Sequence, residues 1–179
     1  MTSSSTLFSL VLLLLSASYA HAGGFKNIAL YMHATTSGAN ATMFVVVPPL
    51  AAAGSTPFGA IQLLDHELRD GPDPANSLLL GRFQGIVTYA GLVSPPGMQT
   101  AMSFVFTAGK YNGSTLVMVG TILSVTESFE RPLVGGTGAF RMSRGYCIIS
   151  NMTRLTPESS VFNVNLVVKM EKNLFMKTG

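Results

Sequence analysis

The stretch Met102-Ser103-Phe104-Val105-Phe106-Thr107 decides the fold class, because large apolar side chains recur in it at every second position. Successive side chains of a β-strand point to opposite faces, so Phe104 and Phe106 share one face and Val105 lies on the other. A period of two therefore predicts a strand that turns one face towards a core.

Similar strand-like patterns occur on both sides of this stretch. Short runs rich in valine, isoleucine, phenylalanine and threonine alternate with glycine, proline and asparagine clusters, and helical periodicity is nearly absent after residue 22. Eight strands are predicted near residues 25–33, 42–47, 58–68, 81–89, 100–107, 114–123, 139–149 and 161–170. The pattern predicts one all-β domain, either a closed eight-stranded antiparallel β-barrel or a sandwich. A barrel of eight strands encloses room for one small ligand.

The amino-terminal segment has a different character. Residues 1–22 contain no lysine, arginine or acid, and an apolar run from Leu7 to Leu15 precedes Ala20-His21-Ala22. We interpret residues 1–22 as a secretory signal peptide and residues 23–179 as the mature domain, although a basic residue before the apolar run is missing. The apolar run is too short to span a membrane, and no membrane association is expected after cleavage.

Charge and cysteine content narrow the function classes. The net charge is +3, and the basic residues are scattered along the chain, whereas a nucleic-acid-binding protein concentrates them on one face. Cys147 is the only cysteine, so no intramolecular disulfide can form, and we expect it to be a buried small hydrophobic residue. Asn40, Asn112 and Asn151 each begin an Asn-x-Ser/Thr triplet, which predicts glycosylation in a secreted protein.

Motifs for cofactors or covalent catalysis are absent from the sequence. The predicted mature domain has two separated histidines, His33 and His66, one cysteine and few acids, which do not form a metal-binding pattern, and no serine-nucleophile or phosphate-loop motif occurs. The run Gly135-Gly136-Thr137-Gly138 lies between strand-like segments, so we interpret it as a tight connection that needs positive φ angles. No cofactor or metal is predicted.

Residues for proton transfer are few. Asp65 follows residues 61–64, most of which are apolar, and two interpretations are open. It is held at a barrel wall, where it has a raised pKa or a basic partner. Alternatively, it caps the turn before Pro72. Tyr89 is one of several strand tyrosines that either present a phenol to a ligand or lie half-buried with a solvated hydroxyl. The residues alone predict a secreted all-β domain and leave open whether it is hollow.

Three longer motifs resemble those of the plant dirigent family. They are Gly81-Arg82-Phe83-Gln84-Gly85, the stretch from Phe104 to Leu116, and the stretch from Val134 to Tyr146 that contains the Gly-Gly-Thr-Gly run. Their order and spacing match the family, and Tyr31-Met32-His33 and Phe58-Gly59 extend the similarity over nearly all of the mature chain.

This resemblance implies a fold and a function. The fold is an eight-stranded antiparallel barrel, similar to that of allene oxide cyclases, in a homo-oligomer (a trimer or a dimer) that is secreted to the apoplast and glycosylated. The partners are phenolic radicals or quinone methides, with a separate laccase or peroxidase that makes the radicals. Members carry no redox centre and direct the stereochemistry of coupling, as with coniferyl alcohol radicals that form lignans.

The sequence departs from the family pattern at three pocket positions. Ala34 replaces the aspartate after the Tyr-x-His motif, Ile122 replaces an acid or asparagine, and Phe129 replaces an arginine, while Glu130 is kept. Tyr89 is the polar pocket position that is retained. These changes imply a more apolar cavity and weaker acid catalysis.

The candidate site residues follow from these comparisons of positions. Tyr89, Asp65 and Glu130 are the catalytic candidates, and Phe104, Phe106, Phe129, Ile122 and Ala34 are the candidates for substrate contact. The hypotheses are stereoselective radical coupling, an isomerase or cyclase acting on a preformed phenolic or oxylipin, and a non-catalytic phenolic-binding defence protein. Glu130 and Arg131 are neighbours in a strand, so both cannot point inward.

Overall fold

The structure is a computed structural model that describes residues 24–54, 56–93, 97–123 and 128–170. The predicted signal peptide, residues 1–22, lies outside the described residues. Within the described ranges no helix is long and apolar enough to cross a membrane.

The described chain is almost entirely β-structure, joined by short turns. The strands are β1 Phe25–Thr35, β2 Met43–Val47, β3 Ile61–Arg69, β4 Leu79–Tyr89, β5 Met98–Phe106, β6 Thr115–Ile122, β7 Phe129–Gly136, β8 Arg144–Arg154 and β9 Ser159–Lys169. Single 3₁₀ turns occupy Ala51–Ala53, Gly109–Tyr111 and Gly138–Phe140. The all-β prediction is confirmed.

Eight of these strands close into an antiparallel barrel. Neighbours pair in the order β1-β9-β8-β7-β6-β5-β4-β3, and β1 closes the ring on β3 through the pairs from Tyr31↔Arg69 to His33↔Glu67. Strand β2 pairs with the other half of β3, from Met43↔Leu64 to Val47↔Ile61, so it lies beside the ring. Closure removes the exposed edges that an open sheet would present.

The predicted number of barrel strands, eight, is correct, but one of the predicted strands lies outside the barrel and one barrel strand was not predicted. The prediction counted residues 42–47, which form β2 beside the ring, and omitted β7. Pro132 and the double glycine at its end gave β7 the composition of a turn, yet Pro132 pairs opposite Tyr146 on an exposed face. The strand predicted at residues 139–149 begins only at Arg144, because Gly138–Phe140 forms a 3₁₀ turn.

Packed side chains fill one end of the barrel. Phe104 and Phe106 are buried with 0% and 3% of their surface exposed, and Val105 is half-buried, as the alternation predicts. The ring of Phe104 lies 4.8 Å from that of Phe83, and the ring of Phe106 lies 5.4 Å from that of Phe140. These rings lie away from the end of the barrel at which β4 ends and β5 starts.

Candidate functional site

A cavity of about 310 Å³ occupies the open end of the barrel. Its walls come from the inward faces of all nine described strands, because alternation places every second side chain inside. The volume lies at the lower end of the range for sites that bind small molecules. The residues that line the cavity are Met32, Ala34, Thr36, Met43, Gln62, Leu64, His66, Phe83, Val87, Tyr89, Met98, Met102, Met118, Ile122, Phe129, Ile149, Met152, Arg154, Pro157, Ser160 and Phe162.

Methionine dominates the apolar wall. Six of the lining residues are methionines, and three others, Phe83, Phe129 and Phe162, are phenylalanines. Methionine has three rotatable bonds and a polarisable sulfur that makes favourable contacts with aromatic rings. The wall is therefore suited to an aromatic guest and can adjust to its shape.

Tyr89 and Gln62 form one polar pair in the cavity. They lie on adjacent strands, and the Tyr89 hydroxyl is 3.5 Å from Gln62 Oε1, so any hydrogen bond it donates there is long and weak. The phenol is therefore available to donate to a ligand oxygen. The structure places the predicted Tyr89 on the cavity wall.

His66 provides a second polar group, which was not among the residues predicted to form the site. It is 4% exposed, and its Nδ1 lies 2.7 Å from the hydroxyl of Thr42. Burial lowers the pKa of His66 to about 4, so the imidazole is neutral near pH 6. Strict alternation through Gln62, Leu64 and His66 is the sequence signal that places this histidine inside.

The predicted contact residues fall into two groups. Ala34, Ile122 and Phe129 line the cavity, so the positions at which the sequence departs from the family pattern do form its wall. Phe104 and Phe106 are absent from the lining and lie in the packed core beneath it. The structure shows their positions and leaves their roles as predictions.

The two acidic candidates lie on the outside of the barrel. Asp65 sits within β3, its Oδ1 accepting a hydrogen bond of 2.7 Å from Arg82 Nε, and that bond holds the pKa of Asp65 below its ordinary value. The expectation of a basic partner is therefore met, and the expectations of a raised pKa and of a turn cap at Asp65 are wrong. Asp70 makes the turn contact, accepting from the Leu78 amide.

Glu130 also points away from the cavity, because its neighbour Arg131 points inward. Arg131 is 1% exposed and Glu130 is exposed, as the alternation argument required. The structure thus brings Tyr89 together with Gln62 and His66, and it does not bring Tyr89 together with Asp65 and Glu130. Arg131 was not predicted to belong to the site.

The remaining sequence predictions concern isolated positions. Cys147 is fully buried, and burial raises the pKa of its thiol to about 12, as expected for a small core residue. Asn40 and Asn112 lie in exposed turns, while Asn151 lies within β8. Among the described residues no three histidine, cysteine or acidic side chains cluster as metal ligands would.

A hollow barrel with an apolar wall and a few inward polar groups is the arrangement that is common among proteins that bind small molecules. The family model described as "Dirigent-like protein" matches residues 25–169. The chain therefore belongs to the dirigent family.

Individual relatives agree with this assignment. The chain is 41% identical over 123 residues to Dirigent protein 23 of Arabidopsis thaliana, covering 68% of this chain and 65% of the relative. It is 36% identical over 124 residues to pterocarpan synthase 1 of Glycyrrhiza echinata, again covering 68% and 65%. The matches thus span slightly less than two thirds of the length of these curated relatives.

A solved structure agrees over more of the fold. The barrel superposes on that of a pterocarpan synthase dirigent protein with a TM-score of 0.72 and 29% identity. That alignment covers 85% of this chain and 93% of the other chain.

Proposed function

We propose that this protein binds phenolic radicals in the barrel cavity and imposes stereoselectivity on their coupling, as in the formation of lignans from coniferyl alcohol. A separate laccase or peroxidase makes the radicals, and the protein has no oxidase activity of its own. The observation that carries the proposal is the methionine-rich cavity with Tyr89, Gln62 and His66 as its inward polar groups. Membership of the dirigent family supports it.

The physical basis of such a function is orientation. Free radicals meet in many relative positions, and a wall that fixes the exposed face of one ring selects among those approaches. Apolar contact with methionines holds the ring without quenching it, and a hydrogen bond from the Tyr89 hydroxyl sets which end of the guest enters first. The step that forms the new bond then needs no residue to accept an electron.

A matched pair of variants tests this function. The purified protein is mixed with coniferyl alcohol and a one-electron oxidant, and the products are resolved on a chiral column. Ala34→Phe fills the cavity from β1, and Ala29→Phe makes the same change on the exposed face of that strand. We expect an enantiomeric excess that Ala34→Phe abolishes and Ala29→Phe retains. Racemic products from the unmodified protein with several monolignols would refute the proposal for those substrates.

A second candidate function is cyclisation of a preformed phenolic intermediate such as a quinone methide. It is favoured because a phenol, on Tyr89, and a neutral imidazole, on His66, line the same cavity, which supplies a proton donor and a proton acceptor. The similarity to pterocarpan synthases supports it as well. Tyr89→Phe should then lower kcat at least about tenfold with little change in binding, and unchanged turnover would exclude the phenol as donor.

A non-catalytic role in wall-associated defence is the third outcome of the same assays. Tight binding of a phenolic with no change in product chirality or turnover would indicate it. Secretion to the apoplast and glycosylation belong to every one of these proposals. They are supported by the apolar run in residues 1–22 and by the exposed turns at Asn40 and Asn112.

We also propose that the protein forms a homo-oligomer, a trimer or a dimer, through the outer face of β2, β3 and β4. Phe44, Leu63 and Ile86 stand in one cross-strand row there, with 58%, 48% and 36% of their surface exposed. Asp65 and Arg82 border this row as an exposed ion pair. An apolar row with a charged border is the composition of a protein interface, and a second copy of the chain is the occupant to which the proposal commits.

A further inference from the structure

Arg131 is a buried cation without an acidic partner. Its Nη2 donates to Thr100 Oγ1 at 2.5 Å, whereas its Nε and Nη1 are buried and have no hydrogen-bond partner. None of the ion pairs among the described residues includes it. Arginine stays charged in proteins, and an unpaired buried charge costs several kcal/mol by solvation arguments. So costly a group calls for a compensating interaction.

The position of Arg131 relates it to the cavity. Strand register places Thr100, Gly120, Arg131 and Cys147 in one row across the inward faces of β5 to β8. The row on one side of it is Met98, Ile122, Phe129 and Ile149, and all four of these residues line the cavity. On the other side Met102 and Met118 line it as well. Arg131 therefore lies at the depth of the cavity, behind side chains of its wall.

Gly120 provides the space in which the guanidinium lies. Its φ is +115°, and a Cβ atom added there would lie 3.4 Å from Arg131 Nη2. The rows on either side of the guanidinium contain the methionines Met98, Met102 and Met118, which line the cavity and whose side chains change rotamer at little cost.

We propose that Arg131 is a concealed anion-binding group of the cavity, which a rotation of these methionines would expose and which donates from its unpartnered Nε to a negatively charged oxygen of a phenolic ligand. The oxygen belongs to a carboxylate at the end of the side chain or to a phenolate. This inference rests on the proposed function, because it requires that a phenolic enters the cavity. A hydrogen bond from a guanidinium N–H to a charged oxygen is about twice as strong as one between neutral groups.

Two experiments distinguish the sources of the charge. Ferulate and coniferyl alcohol share the ring and the side chain and differ in a terminal carboxylate or hydroxymethyl group, so calorimetry at about pH 6 compares a charged with a neutral guest. Vanillin titrated from acid to alkaline pH reports the phenolate by its absorption. We expect at least a tenfold preference for ferulate, or a bound vanillin that ionises at lower pH than free vanillin.

Arg131→Met should remove whichever effect is seen and leave coniferyl alcohol binding within about threefold. Arg154→Met is the matched control, because Arg154 is the arginine that lines the cavity itself. The proposal is overturned if neither probe shows an anion preference, or if Arg154→Met loses more of the preference than Arg131→Met. If no probe binds at all, the proposed function fails together with the inference. Equal binding of ferulate and coniferyl alcohol, with bound vanillin ionising as free vanillin does, overturns the inference alone.

A measurement on the unmodified protein covers the case in which Arg131→Met does not fold. The Nε–H resonance of Arg131, assigned by comparison with Arg131→Lys, should move on addition of ferulate and stay in place with coniferyl alcohol. A resonance that ignores ferulate at saturation contradicts the proposal directly.

Discussion

The guanidinium of Arg131 and the hydroxyl of Thr100 face each other across β6, 2.5 Å apart inside the barrel. The Thr100 hydroxyl in turn donates a hydrogen bond of 3.2 Å to the Gly120 carbonyl. One neutral hydroxyl is thus the only hydrogen-bond partner of a buried positive charge in the described chain. Burial also lowers the pKa of Arg131, which expresses the same cost.

Replacing this cation by an apolar residue of similar length should stabilise the free protein. We expect Arg131→Met to raise the free energy of unfolding by about 1 to 3 kcal/mol, as found when buried charges are exchanged for apolar side chains. Urea denaturation without ligand measures the change, with Arg141→Met, at an exposed position, as the control. A loss of stability in Arg131→Met would show that the charge is compensated by contacts beyond Thr100.

Stability should fall as the pH is lowered through the acid range because of His66. Its pKa is about 4 in the folded protein and ordinarily 6.5, so between these values the unfolded chain binds the proton and the folded chain does not. The loss from pH 7 to pH 4 should be about 3 kcal/mol. Urea midpoints across this range measure it.

The control for this pH dependence is a second histidine. His66→Gln should flatten the profile, whereas His33→Gln, which removes the histidine bonded to the Gly71 carbonyl, should keep its slope. Equal slopes in the unmodified protein and in His66→Gln would contradict the assignment to His66.

Asp65→Asn should leave the stereochemical outcome unchanged. The carboxylate is about half exposed, and it is paired with Arg82 on the outer face of the barrel. Exposed ion pairs contribute about 0 to 1 kcal/mol, so the loss of stability should stay within that range. Chiral product analysis and urea denaturation test both parts, and a racemic product would return Asp65 to the list of residues that shape the site.

Leu63→Lys should weaken self-association. Leu63 lies at the centre of the exposed row with Phe44 and Ile86, where a charge would be buried in any interface between copies. Light scattering after size exclusion should show a smaller species than the unmodified protein forms. Val134→Lys, on the outer face of β7, is the control. If the unmodified protein is monomeric at high concentration, the proposal of a homo-oligomer is wrong.

The barrel was predictable because its strands carry their burial pattern locally. The alternation around Phe104 correctly predicted that this residue lies in the core. Strand β7 was not predicted because it contains Pro132, and the sequence alone does not distinguish a proline on the outer face of a strand from a proline in a turn. The cavity wall at Ala34, Ile122 and Phe129 was also accessible, since it follows from the family's pattern of positions.

The polar part of the site was less accessible. Asp65 and His66 are adjacent in sequence, and only the face that β3 turns inward decides that the imidazole and not the carboxylate lines the cavity. A shift of one residue in register would exchange them. Asp65 was predicted to be catalytic because it is acidic, but in the structure its carboxylate is bonded to Arg82 outside the barrel.

The sequence by itself determined that the domain is all-β, which family it resembles, and that apolar residues replace the polar ones at three pocket positions. These features can be recognised in short stretches of neighbouring residues. The tertiary structure alone decided that Arg131 stands unpaired beside Thr100 and Gly120. These three residues come from three strands, and only closure of the barrel, with its fixed register, removes the water that would otherwise solvate the charge.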